Sequence, residues 1–446
     1  MKKYIVICLI GICAFPVFAQ RALTLEESKQ LALQNNAKIK NGALELEASR
    51  QIRKAAFTKY FPSISANGAM FEADKNMMEI STFGGNLPVY DGNLANLRTA
   101  TQFAYMPPST IGLMKSGAFG VLTAVQPIFT GGRIWNGNRL ASLGEDVSEE
   151  NNRLTQNEVL LKTEEQYWTV VSLNEKMKTI RRYEELLNNL LAQVEDAYRS
   201  GIVMKNDMLK VKLKRSEVLL NKSKLENVQR LATMAFCQHI GIPYDSILVL
   251  VDSLRTESSP KLYYVENKEA LKNRSEYRLL QASVRAEELQ SNMKLGEYFP
   301  QAGIGVSGLY MKLDESKSRT LGMVFGTVSI PISGWWEASH TLQERSIKEK
   351  IAYNLMKDHS ELLLLQMQKA WQDFSDAYKQ VLLSEEAKVQ AEENLKVNQD
   401  SYNNGMSNLS DLLEAQALQQ QMNDQLTDTR ASYRSKQITY LQETGR

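Results

Sequence analysis

Apolar positions along this chain follow two rhythms. Over long proline-free stretches they recur every three or four residues, as in Tyr183, Leu187, Leu190, Val194 and Ala197, and again in Val211, Val218, Leu225 and Ala232. That spacing keeps one stripe of a helix apolar and predicts helices packed as in coiled coils. The stretch 134–199 holds 66 residues without proline. As one helix it would reach about 100 Å, too long for a compact globular domain. In four shorter stretches the rhythm is two. Phe119, Val121, Thr123 and Val125 alternate with Ala118, Gly120, Leu122 and Ala124 within Gly117–Gln126, and Ala302, Ile304, Val306 and Tyr310 alternate with Gly303, Gly305 and Ser307. Ser63–Phe71 and Thr320–Ile330 complete four predicted strands of about ten residues, the span of a tilted strand in a bilayer. Thr24 with Glu27 three residues on is a capping-box start for a helix predicted over Leu23–Tyr60, which Pro62 ends.

The two rhythms occur twice. Tyr60-Phe61-Pro62 recurs at Tyr298-Phe299-Pro300, and Asn36 of NAKI aligns with Arg274 of RSEY, both 238 residues apart. Gln126-Pro127-Ile128 pairs with Ile330-Pro331-Ile332, and Ala197–Leu209 pairs with Ser401–Leu413, both 204 apart. The difference between the offsets places 34 extra residues in the first repeat, between Pro62 and Pro127. They are rich in Gly, Asn and Pro and are expected to lengthen an extracellular loop. The expected organisation is a leader (1–19), a first repeat (20–243) reading helix, two strands, long helix, turn, helix, a connector (244–261) with a strand-like run at Ile247–Val251, and a second repeat (262–446). Pro62, Pro127, Pro300 and Pro331 are expected at helix–strand junctions.

The leader reading rests on Lys2 and Lys3, the apolar run Tyr4–Phe15, and Val17-Phe18-Ala19 before Gln20, which together predict a secretory signal cleaved after Ala19. Cys8 and Cys13 would leave with it and neither sits in a lipobox-like context, so no lipidation is expected. One thiol, Cys237, would remain, read as a buried small hydrophobe. Composition (43% hydrophobic, 23% charged, 24 Gly, 10 Pro) excludes collagen-like and disordered classes. The 53 basic and 51 acidic residues leave no excess to hold a nucleic-acid backbone. No stretch after the leader has 18 consecutive apolar residues, so the chain is not expected to cross a membrane as helices. In lipid an open sheet edge leaves peptide groups unpaired at several kcal/mol each, so a spanning sheet must close. Four strands cannot close alone. Two copies would give eight strands around a filled interior, and three would give twelve around a lumen.

These landmarks, YFP twice, QPIF with IPIS, and Tyr-x-x-Gly-x5-Asp-x-Leu twice, resemble those of the outer membrane efflux protein (TolC) family, in order over nearly the whole mature chain. The resemblance implies a mainly α protein with a β membrane part: a trimeric 12-stranded β-barrel, four strands per chain, continuous with a long periplasmic α-helical barrel. It further implies an outer-membrane exit duct of a tripartite efflux or type I secretion system, passively conducting substrates from a periplasmic adaptor protein and an inner-membrane transporter of RND or ABC type. The implied partners are a homotrimer, those two proteins and outer-membrane lipid. The alternative is an exported coiled-coil structural or adhesion protein without a pore.

Candidate site residues gather at the two predicted helical turns. Gly201 in Tyr198-x-x-Gly201 and Gly405 in Tyr402-x-x-Gly405 suit the left-handed conformation that ends a helix, which alone accounts for them. Asp207 and Asp411 follow six residues later, where interaction with a helix N-terminus is one role open to each. The sharper reading is that Asp411 and Glu414, at i and i+3, form acidic rings when three copies meet, constricting a pore and selecting cations. By resemblance these match the family's aperture carboxylates, and Tyr402 with Asp207 matches the link that holds the mouth shut. Ser407 departs from the family pattern, which has arginine there. Enzymatic readings find no support: His239, His340 and His359 are isolated, and there is no HExxH, CxxC, GxSxG or phosphate loop. The tryptophans of Gly131-Gly132-Arg133-Ile134-Trp135 and Ser333-Gly334-Trp335-Trp336 suit either a membrane boundary or core packing. Met77, Met78 and Met106 would serve a soft metal only if clustered. No cofactor, metal or catalytic residue is expected.

Overall fold

Thr24 opens the first helix as its sequence dictates: its hydroxyl accepts from Glu27 N at 3.2 Å while Glu27 Oε2 accepts from Thr24 N at 2.9 Å. The computed structural model describes residues 22–90, 92–245, 248–254, 258–313 and 317–446. The expected leader and its cleavage site lie outside them, as does Ile247. In chain order the elements are β1 Ala22–Leu23, α1 Leu25–Asn35, α2 Ala37–Phe57, β2 Ser63–Glu72, β3 Met78–Thr82, β4 Gly85–Pro88, β5 Phe103–Met106, β6 Ser109–Leu113, β7 Ser116–Phe129, α3 Arg133–Arg199, α4 Lys205–His239, β8 Val249–Leu250, α5 Asn267–Asn273, α6 Ser275–Glu297, β9 Gln301–Leu313, β10 Arg319–Ser329, α7 Trp335–Asn403 and α8 Leu409–Glu443. The described residues divide into two units: those of 22–50 with Gly144–Val284 and Ile351–Arg446, and those of Gln51–Leu143 with Arg285–Lys350.

In the first unit α3 and α4 pack along the predicted seam, burying Tyr183, Leu187, Leu190, Val194, Val211 and Val218 to 4% exposure or less. Each such side chain contributes roughly 1.5–3 kcal/mol. A second cluster joins α7 and α8 through Phe374, Tyr433 and Tyr440, with Trp371 at their edge. The third is built around Tyr167, whose hydroxyl lies 2.7 Å from Asp252 Oδ2 and 3.1 Å from Leu23 O. Cys237 is buried in it. Here β1 and β8 pair in parallel, Ala22 with Val249 and Leu23 with Leu250.

The stretch read as one helix from Leu23 to Tyr60 is two. Asn36 leaves the helical region (ψ 133°), donates from Nδ2 to His239 O at 2.8 Å, and caps α2 by accepting from Lys38 N at 2.8 Å. At the aligned position Arg274 is also extended (ψ 132°), between α5 and α6. It reaches Glu276 from Nε at 3.0 Å and pairs with Glu443.

The second unit holds an antiparallel four-stranded sheet in the order β10-β9-β7-β2. The register puts Ile64, Ala66, Gly68 and Met70 on the same face as Leu122, Ala124, Ile304, Val306, Val324 and Val328. This face is apolar and exposed: Met70 86%, Val324 82%, Ile64 72% and Val328 72%. The opposite face is mixed: Ser63, Ser65, Asn67, Thr123, Ser307 and Thr327 stand among Phe119, Val121, Leu309, Leu321, Met323 and Phe325, with Thr123 Oγ1 3.2 Å from Ser307 Oγ. Glycine at 305 makes room there, since a Cβ would meet the Phe325 ring.

Pro62, Pro300 and Pro331 lie just outside strand ends, whereas Pro127 sits inside β7, six residues before α3 begins. Proline has no N–H to give a ladder and is tolerated where pairing is interrupted. Pairing of β7 with β2 has ended by Val125, and its pairing with β9 shifts register between Pro127 and Phe129. The stretch between Pro62 and Pro127 expected to lengthen a loop is likewise not a plain one: β3 pairs with β6 and β4 with β5 as two short antiparallel ladders.

Candidate functional site

Two helical turns position the candidate residues. Each ends its helix in a Schellman motif: Gly201 at φ +73° donates to Tyr198 O and Ile202 N to Ala197 O, while Gly405 at φ +71° donates to Tyr402 O and Met406 N to Ser401 O. The next helices start differently. Asn408 and Asp411 form a capping box, Asp411 N donating to Asn408 Oδ1 at 3.0 Å and Asn408 N to Asp411 Oδ2 at 3.4 Å. Met204 caps α4 without a side-chain bond, and Asp207 stands at its third position. Helix capping therefore accounts for Asp411's place, yet its side chain is exposed.

Tyr402 packs on the cluster of Leu190, Val194, Val211, Leu409 and Leu412. Its phenol is pushed above the usual range, first by burial and then by the negative charge of Asp207. Thus Tyr402 and Asp207 are brought within electrostatic reach of one another inside one chain. Asp207 Oδ1 lies 3.5 Å from Lys210 Nζ, which also donates to Ser410 Oγ at 3.0 Å and so ties α4 to α8. Ser407 Oγ is buried with no hydrogen-bond partner. Asp411 and Glu414 lie on an exposed stripe of α8 that continues through Leu418, Gln421, Gln425 and Asp428.

Sequence reasoning missed one charged group nearby. Asp424 lies beside this stripe in a groove of about 450 Å³ lined also by Lys214, Gln420, Gln425 and Asp428. Asp428 is held by Lys176 of α3 at 2.6 Å, while Asp424 Oδ1 is buried without a partner. Burial pushes the Asp424 carboxyl up to about 6; Lys176 opposes this and Asp428 adds to it. The folded chain therefore holds this proton more tightly than the unfolded chain. The stability it lends is fully present below the ordinary carboxylate range and is lost as pH rises through about 6. Asp424→Asn is expected to flatten that dependence and to stabilise the protein at neutral pH by about 1–2 kcal/mol after solvent screening. Thermal unfolding of both proteins from pH 4 to 8 checks it.

Of the histidines, His239 is packed, its Nε2 3.1 Å from Thr163 Oγ1 and 3.2 Å from Val159 O. His340 and His359 are exposed. Met78 and Met106 fall in different ladders. Among the described residues no group of three His, Cys, Asp or Glu side chains could hold a metal ion. No helix among them is long and apolar enough to cross a membrane.

The chain thus carries a sheet with one exposed aliphatic face and helices of 67 and 69 residues, each ending at a glycine turn. Solved structures agree on the fold. The outer membrane protein VceC from Vibrio cholerae matches with TM-score 0.72 at 13% identity, over 94% of this chain and 96% of that one. The Campylobacter jejuni CmeC outer membrane channel matches with TM-score 0.73 at 14% identity, over 94% and 85%. The open state of the Neisseria gonorrhoeae MtrE outer membrane channel matches with TM-score 0.74 at 14% identity, over 94% and 88%. No family profile and no curated protein sequence matches. The chain has the fold of the outer membrane efflux channels, consistent with the resemblance to the TolC family that its sequence landmarks carry.

Proposed function

We propose that this protein is an outer-membrane exit duct of a tripartite efflux or type I secretion system. Three copies pool their four strands into a 12-stranded barrel, and their helices form a periplasmic tube that receives substrate from an adaptor and an inner-membrane transporter of RND or ABC type. The observation that carries this reading is the four-stranded sheet. Its exposed aliphatic face suits lipid, the hydroxyls and amide on its mixed opposite face can meet water, and its edge strands β2 and β10 must find partners in other copies, since lipid tolerates no unpaired peptide edge. An exported adhesive coiled coil would have no use for such a face. The internal duplication draws support from α3 with α4 (67 and 35 residues) set against α7 with α8 (69 and 35), and from the extended residue at both Asn36 and Arg274. Energy for transport comes from the partners, and the duct itself is passive.

Gly201 and Gly405 mark the periplasmic mouth in this reading. Asp411 and Glu414 supply its acidic aperture, and Tyr402 near Asp207 holds it shut, with Ser407 lending no arginine latch. The tripled carboxylates would attract cations and narrow the opening. The double variant Asp411→Ala with Glu414→Ala is expected to raise single-channel conductance or to abolish block by multivalent cations. Planar-bilayer recordings test this. Conductance and block both unchanged would remove the aperture role.

A further inference from the structure

The 34 residues that the first repeat has over the second build a ribbon with an uncovered apolar face. The β3–β6 register sets Met78 opposite Leu113 and Ile80 opposite Ile111 on one side, which ends in the hydrogen-bonded pair Thr82 and Ser109, and Glu79 opposite Gly112 and Ser81 opposite Thr110 on the other. The polar side closes its own bonds, Ser81 Oγ lying 3.2 Å from Thr110 Oγ1. The apolar side is bare: Met78 and Ile111 are 55% exposed and Ile80 50%. Beyond it Phe83 is 97% and Tyr105 69% exposed.

Lipid is not what covers this face. Strand β2 already spans ten residues, about what a bilayer needs. Glu72, Asp74, Lys75, Lys115 and Lys312 stand where β2, β7 and β9 meet the ribbon, a collar of charges that belongs in water. The ribbon therefore stands beyond the hydrocarbon. A two-stranded ladder in water is marginal unless its apolar side is packed. Residues 73–115 carry three acidic and three basic side chains, so neither an anionic nor a cationic partner is favoured and copies of the ribbon do not repel one another. Moreover β3 follows directly from β2, an edge strand of the sheet that barrel closure places against another copy.

We propose that the ribbons of the assembled copies pack their apolar faces on one another as a crown over the outer end of the barrel. This inference rests on the channel reading, and its test separates the two. Phe83→Cys is introduced with Cys237→Ala in the full-length protein, which is purified in detergent and treated with a short bis-maleimide. Covalent dimers and trimers on a denaturing gel are the expected result. Adding Ile80→Ser and Ile111→Ser should lower the cross-linked fraction by about tenfold or more. Absence of cross-links in protein that still conducts ions would overturn the crown and leave the channel intact. Cross-links that survive the serine substitutions, or labelling of residue 83 by a photoactivatable lipid instead, would also overturn it. Protein that neither assembles nor conducts would instead bring down the channel reading.

Discussion

Val324→Arg is expected to abolish stable insertion of the protein into outer membranes, whereas Met323→Arg is expected to leave insertion intact. The two residues are adjacent in β10 but face opposite sides of the sheet, Val324 paired with Val306 and Met323 with Ser307. Val324 is 82% exposed on the apolar face, where an arginine near the bilayer midplane costs about 2–4 kcal/mol per copy. On the other face Met323 is paired with Ser307, beside Thr123, and flanked by Leu321 and Phe325; in the channel reading that face lines water, where a charge is hydrated. Fractionation of cells expressing each variant checks the pair. Equal insertion of both would mean that the faces are not divided between lipid and water.

Arg274→Ala is expected to destabilise the first unit by about 1–3 kcal/mol, because it removes a buried guanidinium and leaves Glu276 and Glu443, 35% and 26% exposed, without their partner. Arg274 is 5% exposed; it pairs with Glu276 at the start of α6 and ties the α5–α6 break to the C-terminal end of α8 through the Glu443 carboxylate and the Glu443 carbonyl, the last at 3.0 Å from Nη1. Burial alone would raise the Glu276 carboxyl, but its hydrogen bond to Arg274 and the guanidinium charge bring it below the usual range. The stability of this pair is therefore present above that range and lost as pH falls through the lowered pKa. Denaturant titration of Arg274→Ala at neutral pH gives the loss. An unchanged midpoint would show that the triad contributes nothing.

Features governed by local chemistry were legible in the sequence. The period-two runs locate the strands to within one to three residues: Ser63–Phe71 against Ser63–Glu72, Gly117–Gln126 against Ser116–Phe129, and Thr320–Ile330 against Arg319–Ser329. The proline-free stretch 134–199 becomes a helix from Arg133 to Arg199. The glycines at 201 and 405 take positive φ, as the residue type dictates. Features set by distant partners were not legible. Asn36 breaks a stretch of helical composition because the carbonyl of His239, 203 residues away, is there to receive its amide. Strand pairing of β3 with β6 was hidden because Gly, Asn and Pro interrupt runs of only four or five residues. The Asp424 carboxyl is unusual only through its burial against α3 and α4, which its acidic, amide-rich helix gives no sign of.

The central claim is that one chain holds a third of a wall and copies must share it. The mass of the purified, detergent-solubilised protein tests this most directly, by native mass spectrometry or light scattering corrected for bound detergent. Three chains per particle is the predicted result. A single chain, uniform and stable in buffer without detergent, would contradict it.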